Sequence, residues 1–142
     1  MIMNLYFKFK ELVIDGGPIP IDVAQKLLTY HIIPVSVVRG KLGVPMTASY
    51  KSGYRPYKWE ISRGRNGKSQ HVFEGKGAID WTCKNFRGNK KELLELLVQH
   101  TEYTRFAVYN TFIHCDYKKT KGGRREIYTS TPSSRWTLKM TI

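Results

Sequence analysis

The segment from Ser69 to Asp80 brings a histidine and a carboxylate, His71 and Asp80, close together in sequence, with Gly75 and Gly77 between them. A second histidine follows in Phe112-Ile113-His114-Cys115-Asp116. Imidazole nitrogens and carboxylate oxygens are zinc ligands, and three protein ligands leave the fourth position of a tetrahedral site for water. Such a water is the nucleophile of metal hydrolases. His71, Asp80 and His114 are therefore expected to hold Zn2+. Gly75 and Gly77 let the chain bend between the first two ligands. Asp80 lies in the apolar run Ala78-Ile79-Asp80-Trp81-Thr82. A carboxylate there is costly unless it is paired or bound to metal.

Asp116 stands two residues beyond His114, so on a strand both side chains share a face. Two roles are open to it. It can orient the ligand histidine through a hydrogen bond, or it can act as the general base that takes a proton from the attacking water. Cys115 points to the opposite face from His114, which disfavours a Cys-His nucleophile pair. Cys83 and Cys115 read as small buried hydrophobes. His31 and His100 read as helix-surface or helix-end residues.

These residues need a scaffold, and hydrophobic spacing supplies its outline. After the break at Gly16-Gly17-Pro18-Ile19-Pro20, a helix is expected from about Asp22 through Val23, Leu27 and His31. Pro34 should kink or restart it. A second helical piece, Val35 to Leu42, should stop at Gly43. Val44 to Tyr50 reads as a strand leading to the loop Ser52 to Pro56. Tyr57 to Gly77, rich in Gly, Lys, Arg and Ser, reads as a long structured loop of the kind that usually carries function. Ala78 to Cys83 reads as a strand. Asn89 and Glu92 suggest a capping box for a helix from Lys90 to His100. Four strands should follow: Arg105–Tyr109, Phe112–Lys118, Arg125–Thr131 and Arg135–Met140. Gly122-Gly123 would form a hairpin between the second and third, and Pro132-Ser133-Ser134 a further turn. The expected architecture is α+β: N-terminal helices, then a mostly antiparallel sheet with one inserted helix, in a single domain over residues 1–142.

The 142 residues suffice for one hydrophobic core, and their 41% hydrophobic content is ordinary for a globular chain. The 24 basic residues against 11 acidic ones, a formal charge of +13, point to an anionic partner such as nucleic acid or a cell-wall polymer. No segment reaches the ~20 apolar residues of a membrane span. The N-terminus lacks the apolar core of a signal peptide, so synthesis as a soluble cytoplasmic chain is expected.

Four segments, in order and at approximately matching spacing (the His71-to-Asp80 stretch is about two residues longer), resemble the zinc D-Ala-D-Ala peptidases, the group that shares a fold with the amino-terminal domain of hedgehog proteins. They are Ser52-Gly53-Tyr54-Arg55, Ser69-Gln70-His71, Gly77-Ala78-Ile79-Asp80 and Phe112-Ile113-His114. The likeness covers nearly the whole chain. It implies that His71, Asp80 and His114 are the zinc ligands. It implies that Arg55 binds the substrate's carbonyl or carboxylate beside the metal, and that Ser69 lines the pocket. Where many members carry a catalytic acid, or a histidine, just before the last ligand, this chain has Thr111 and Phe112. Asp116 is then the best replacement, ahead of Glu74 and Glu102.

The function implied by the resemblance is hydrolysis of peptide bonds in peptidoglycan stem peptides or cross-links, at the bacterial wall, by a phage-type or virion-associated enzyme. Other virion proteins are possible partners. The competing reading is a peptidase-fold protein that binds wall as a structural component with little or no turnover. A third, nucleic-acid binding, rests on charge and on Tyr50, Tyr54, Tyr57 and Trp59 as stacking residues, and is the least favoured.

Overall fold

Six short strands make one mixed sheet in the computed structural model, which describes residues 5–130 and 135–142. The strands are β1 (Met46–Ala48), β2 (Ala78–Cys83), β3 (Arg105–Val108), β4 (Ile113–Asp116), β5 (Glu126–Ser130) and β6 (Trp136–Thr141). Their spatial order is β1-β2-β4-β3-β5-β6. The chain is thus α+β, with helices before the sheet and a long helix inserted between β2 and β3.

The sheet departs from the expected pattern at one place. β3 pairs parallel with β5, and β3 lies between β4 and β5. Gly122 and Gly123, both at positive φ, therefore sit in a short 3-10 turn of a crossover and do not close a β4–β5 hairpin. β4 and β5 run antiparallel but have β3 between them, so their connection must pass over β3, a span no two-residue turn covers. The expected turn at Pro132-Ser133-Ser134, like Thr131, lies outside the described residues.

Strand alternation sorts the central strands into two faces. Ile79, Trp81, Phe106, Ile113 and Cys115 point into the hydrophobic core, all at 0% exposure. Their core partners come from the helices: Leu27, Ile32, Val35 and Val38 from the first, Leu93 and Leu97 from the inserted one. Cys83 is buried as well, so both cysteines are core residues. The other face carries Ala78, Asp80, Arg105, Ala107, His114 and Asp116.

The N-terminal helix does not break at Pro34. Helix α1 (Ile21–Leu27) runs through a π turn (Leu28–Ile32) into α2 (Ile33–Leu42). Within the wider turn, the Ile33 amide bonds to the Leu28 carbonyl, five residues back. Pro34 offers no N–H to the Tyr30 carbonyl four residues before it. That carbonyl accepts a hydrogen bond from the Tyr117 hydroxyl at 2.6 Å. A tertiary contact thus supplies a donor that the proline withholds. α2 stops at Gly43, whose φ of 77° is left-handed, as expected.

The turn also buries His31, which the sequence placed on a helix surface. Its exposure is 0%. Nε2–H donates to the Lys76 carbonyl at 2.8 Å, and Nδ1 accepts from the Tyr103 hydroxyl at 2.6 Å. Tyr103 in turn accepts from Trp81 Nε1 at 3.0 Å. Burial lowers the His31 pKa to about 3, so this imidazole is neutral.

The segment expected as a loop, Tyr57 to Gly77, contains helix α3 (Tyr57–Ser62) and a 3-10 turn at Gln70–Val72. The inserted helix α4 (Phe86–His100) begins ahead of Lys90. Asn89 and Glu92 form no capping box there. Asn89 donates to the Lys84 carbonyl at 3.0 Å, and Asn85 holds the start of the helix in a left-handed conformation. No helix among the described residues is long and apolar enough to cross a membrane.

Candidate metal centre

Register places the first two candidate ligands. β2 and β4 pair antiparallel with Asp80 directly opposite His114 and Ala78 opposite Asp116. On the far side of β4, Ala107 faces His114 and Arg105 faces Asp116. Two cross-strand rows therefore lie next to each other on one face. One holds ligand candidates and the other holds the groups that support them.

The third candidate arrives from outside the sheet. His71 sits in the short turn Gln70–Val72, started by Ser69, whose hydroxyl accepts the His71 amide at 3.2 Å. After the turn, Phe73 takes a left-handed φ of 63° and Gly77 a φ of 91°. A Cβ on Gly77 would stand 2.3 Å from the Phe73 ring, so the glycine is needed both for its backbone angle and for space. Gly75 has no left-handed φ. The bend between the ligands is made at Phe73 and Gly77.

Every residue of Ser52-Gly53-Tyr54-Arg55 contacts this arrangement or anchors it. The Ser52 hydroxyl donates to Asp80 Oδ2 at 2.6 Å and accepts from Arg55 Nη2 at 2.6 Å. The Asp80 amide donates to the Ser52 carbonyl at 2.9 Å. His71 Nδ1–H donates to the Gly53 carbonyl at 2.8 Å. Tyr54 is buried, and its amide bonds to the Leu12 carbonyl at 2.7 Å, fixing the segment to the N-terminal region. The Arg55 amide bonds to the His71 carbonyl at 2.8 Å, and its guanidinium lies 3.6 Å from Asp80 Oδ2.

The three candidate atoms converge. His71 Nε2 is 3.2 Å from His114 Nδ1 and 3.3 Å from Asp80 Oδ1, while His114 Nδ1 is 2.8 Å from Asp80 Oδ1. Ligands 2.0–2.1 Å from a tetrahedral zinc stand about 3.3 Å apart. The triangle has nearly that size. All three residues are buried.

Hydrogen bonds fix which nitrogens face inward. His71 gives its Nδ1–H to Gly53, and His114 gives its Nε2–H to Asp116 Oδ2 at 2.8 Å. His71 Nε2 then faces Asp80 and His114 with a lone pair, and His114 Nδ1, 2.8 Å from Asp80 Oδ1, donates an N–H to that carboxylate or, once the proton is displaced, offers a lone pair to a cation. Burial pushes the Asp80 carboxyl up, but the two imidazoles outweigh it and hold the group well below the usual carboxylate range. Burial likewise opposes charge on His114, but its bonds to Asp116 and Asp80 win and raise its pKa to about 9. The donor set, nitrogen, nitrogen and oxygen, suits zinc.

Asp116 stands behind His114, not beside the triangle. It is fully buried. Arg105 binds it in a two-pronged contact, Nε to Oδ1 at 3.0 Å and Nη2 to Oδ2 at 2.5 Å, and the Lys118 amide donates to Oδ1 at 3.0 Å. Burial alone would raise its pKa, but His114 and Arg105 hold it well below the usual range. Both oxygens are engaged, and the imidazole separates them from the inward-facing atoms.

The triangle lies beneath a cleft of about 310 Å³, walled by Arg55 and Arg65 and by the aromatic residues Tyr109, Phe112 and Trp136. Trp136 packs on His114 with ring centres 5.2 Å apart, and its indole N–H donates to the Tyr109 hydroxyl at 2.9 Å. Among the described residues, the lining of this cleft contains no carboxylate other than Asp80. Glu74 and Glu102 are exposed and do not line it, and Thr111 uses its carbonyl to accept from Thr82. Ser69 faces an adjoining cavity.

Sequence reasoning brought together His71, Asp80, His114 and Arg55, but assigned no role to Ser52, Arg65, Tyr109 or Trp136. Ser52 was legible as part of its motif. Trp136 had no local signal, because only strand pairing across β3, β5 and β6 carries it to the site. Of the four aromatics considered for stacking on bases, Tyr54 is in the core, and Trp59 lies under the guanidinium groups of Arg55, Arg63 and Arg65. Compared with known proteins, the chain matches no family model, no curated protein and no solved structure.

Proposed function

We propose that the chain is a zinc-dependent peptidase of the D-Ala-D-Ala and hedgehog-like type, hydrolysing peptide bonds of peptidoglycan. The observation that carries this reading is the buried triangle of His71 Nε2, Asp80 Oδ1 and His114 Nδ1, sized for zinc, at the base of an open cleft. Zinc held there would act as a Lewis acid on a carbonyl and lower the pKa of water toward ~7.

The chain's own groups have distinct tasks. Arg55, clamped by Ser52 beside Asp80, offers a fixed positive charge to a substrate carbonyl or carboxylate. It would also stabilise negative charge that develops on the reacting oxygen. Tyr109, Phe112 and Trp136 shape the cleft. Asp116 positions His114 and fixes its tautomer. Of its two sequence-level roles, the engagement of both oxygens favours this one over general base. The action would be at the bacterial wall, and the basic surface suits an anionic envelope.

One observation favours a second reading, a wall-binding component without turnover: among the described residues, the lining of the cleft offers no free carboxylate to move a proton. Two measurements separate the readings. The purified protein should contain about one zinc per chain, and His71→Ala or His114→Ala should lose it. It should release new amino groups from purified peptidoglycan. Unchanged zinc in both variants would remove the metal centre. Bound zinc without cleavage of any wall type would favour the binding component.

A further inference from the structure

Asp80 and His114 are held by the register of β2 against β4, but His71 comes from outside the sheet. The loop that follows His71 lies against the N-terminal helix. Three of its carbonyls accept hydrogen bonds from two side chains of that helix. Lys26 Nζ donates to the Phe73 carbonyl at 2.8 Å and to the Glu74 carbonyl at 3.0 Å. His31 Nε2–H donates to the Lys76 carbonyl at 2.8 Å. The Lys76 ammonium lies 4.9 Å from the ring centre of Tyr30 and 5.3 Å from that of Tyr117.

On an ordinary α-helix, Lys26 and His31 would point to different sides. Residues five apart there diverge by about 140°, at about 3.6 residues per turn. The π turn at Leu28–Ile32 uses more residues to close each turn, so it swings His31 round toward the side of Lys26. Such turns inside helices often mark functional positions. Phe73 carries the contact onward. Its ring, 2% exposed, lies 5.4 Å from the His31 ring and edge-on to Tyr54 at 5.9 Å. Tyr54 follows Gly53, whose carbonyl accepts His71 Nδ1–H. The helix, the loop and the ligand are thus one connected set of contacts.

Resting on the zinc-site reading, we propose that Lys26 and His31 are positioning residues for the third ligand. They clamp the loop after His71, so that its imidazole already stands beside Asp80 and His114 before a metal arrives. Neither side chain hydrogen-bonds a candidate ligand, so each acts through the loop. A ligand arm that is already ordered spends less of the binding energy on its own ordering. Lys26 is the more informative of the two. It is half-buried, whereas His31 is at 0% exposure inside the core, where a substitution can disturb folding itself.

The test compares Lys26→Met and Lys26→Arg with the wild type. Methionine keeps the length and loses both hydrogen bonds, while arginine keeps the charge and the donors. Zinc affinity is titrated against a chelator, and the visible spectrum of the cobalt-loaded protein reports the ligand geometry. Hydrogen exchange at the Val72 and Phe73 amides is followed in the zinc-free protein. Lys26→Met should bind zinc about tenfold more weakly, shift the cobalt spectrum and exchange these amides faster, with a zinc-free Tm close to wild type. Loss of a positive charge would by itself favour a cation, so weaker binding reports position and not field. Lys26→Arg should restore all three readouts. Unchanged affinity and spectrum in Lys26→Met would overturn the proposal and leave the metal centre standing. An equal loss in Lys26→Arg would also overturn it, since the donors would then be irrelevant. If the wild type binds neither zinc nor cobalt, the metal centre itself fails, and the proposal with it.

Discussion

Ser52 holds Asp80 at two points: its hydroxyl donates to Oδ2 at 2.6 Å, and its carbonyl accepts the Asp80 amide at 2.9 Å. The side-chain bond leaves Oδ1 as the oxygen that faces the two histidines. The same hydroxyl accepts from Arg55, so one small residue ties a candidate metal ligand to the arginine beside it. Ser52→Ala should keep the fold and lower zinc affinity about 10- to 100-fold, the usual cost of losing a group that orients a ligand. A competition titration with a chromogenic chelator measures it. Unchanged affinity would show that the register of β2 alone fixes the carboxylate.

Asp116→Asn separates the positioning role from a general-base role. The amide keeps the shape but weakens the charge-assisted bonds to His114 and Arg105. As a positioning residue, Asp116 should show the effect first in metal affinity, lowered about tenfold or more. A general base would lose turnover while zinc stayed tightly bound. Zinc stoichiometry and affinity measured beside peptidoglycan cleavage distinguish the two.

Gly53→Ala tests how the ligand-bearing loop is seated. A Cβ at this position would lie 2.2 Å from the Leu12 carbonyl oxygen, and backbone cannot give way cheaply. The Gly53 carbonyl is the acceptor for His71 Nδ1–H, so the shift would reach the metal centre. A loss of about 2–3 kcal/mol in stability is expected, visible as a lower Tm and a lower zinc affinity together. A normal Tm would mean that the segment moves freely against Leu12.

These residues also show how far the chain could be read without its structure. Asp80 and His114 are legible as polar residues in apolar strand runs, whereas His71, in a polar loop, is picked out only by the resemblance of its Ser69-Gln70-His71 segment. The strand alternation that puts His114 and Asp116 on one face is legible too. The direction in which Asp116 points is not, since Arg105 reaches it only through the pairing of β3 with β4. The parallel β3–β5 pair was hidden because Gly122-Gly123 looks locally like a hairpin turn. Pro34 is legible as a kink or restart, and the winding does change just before it, but the Tyr117 hydroxyl that answers its missing N–H comes from a distant strand end and is not legible locally.

His31 gives the clearest pH dependence. Its pKa falls from 6.5 to about 3 on burial, so below about pH 6.5 the unfolded chain binds a proton that the folded chain refuses. Stability should therefore drop as pH falls, by up to about 1.4 kcal/mol per pH unit, and level off near pH 3. His114 acts in a different window. Its raised pKa adds stability below about 9 that is complete by pH 6.5 and constant beneath it. The depressed carboxyls of Asp80 and Asp116 lose their contribution only below the ordinary carboxylate pKa of about 3.9. Between pH 6.5 and about 4.5, His31 is thus the dominant source of slope among these four groups. Denaturant unfolding across that range, with chelator present so that zinc release adds nothing, should show the slope in the wild type. His31→Gln should flatten it by close to one proton, even if the variant is less stable at pH 7. An unchanged slope in that variant would mean that the imidazole gains a proton inside the folded core, against the donors and acceptors that surround it.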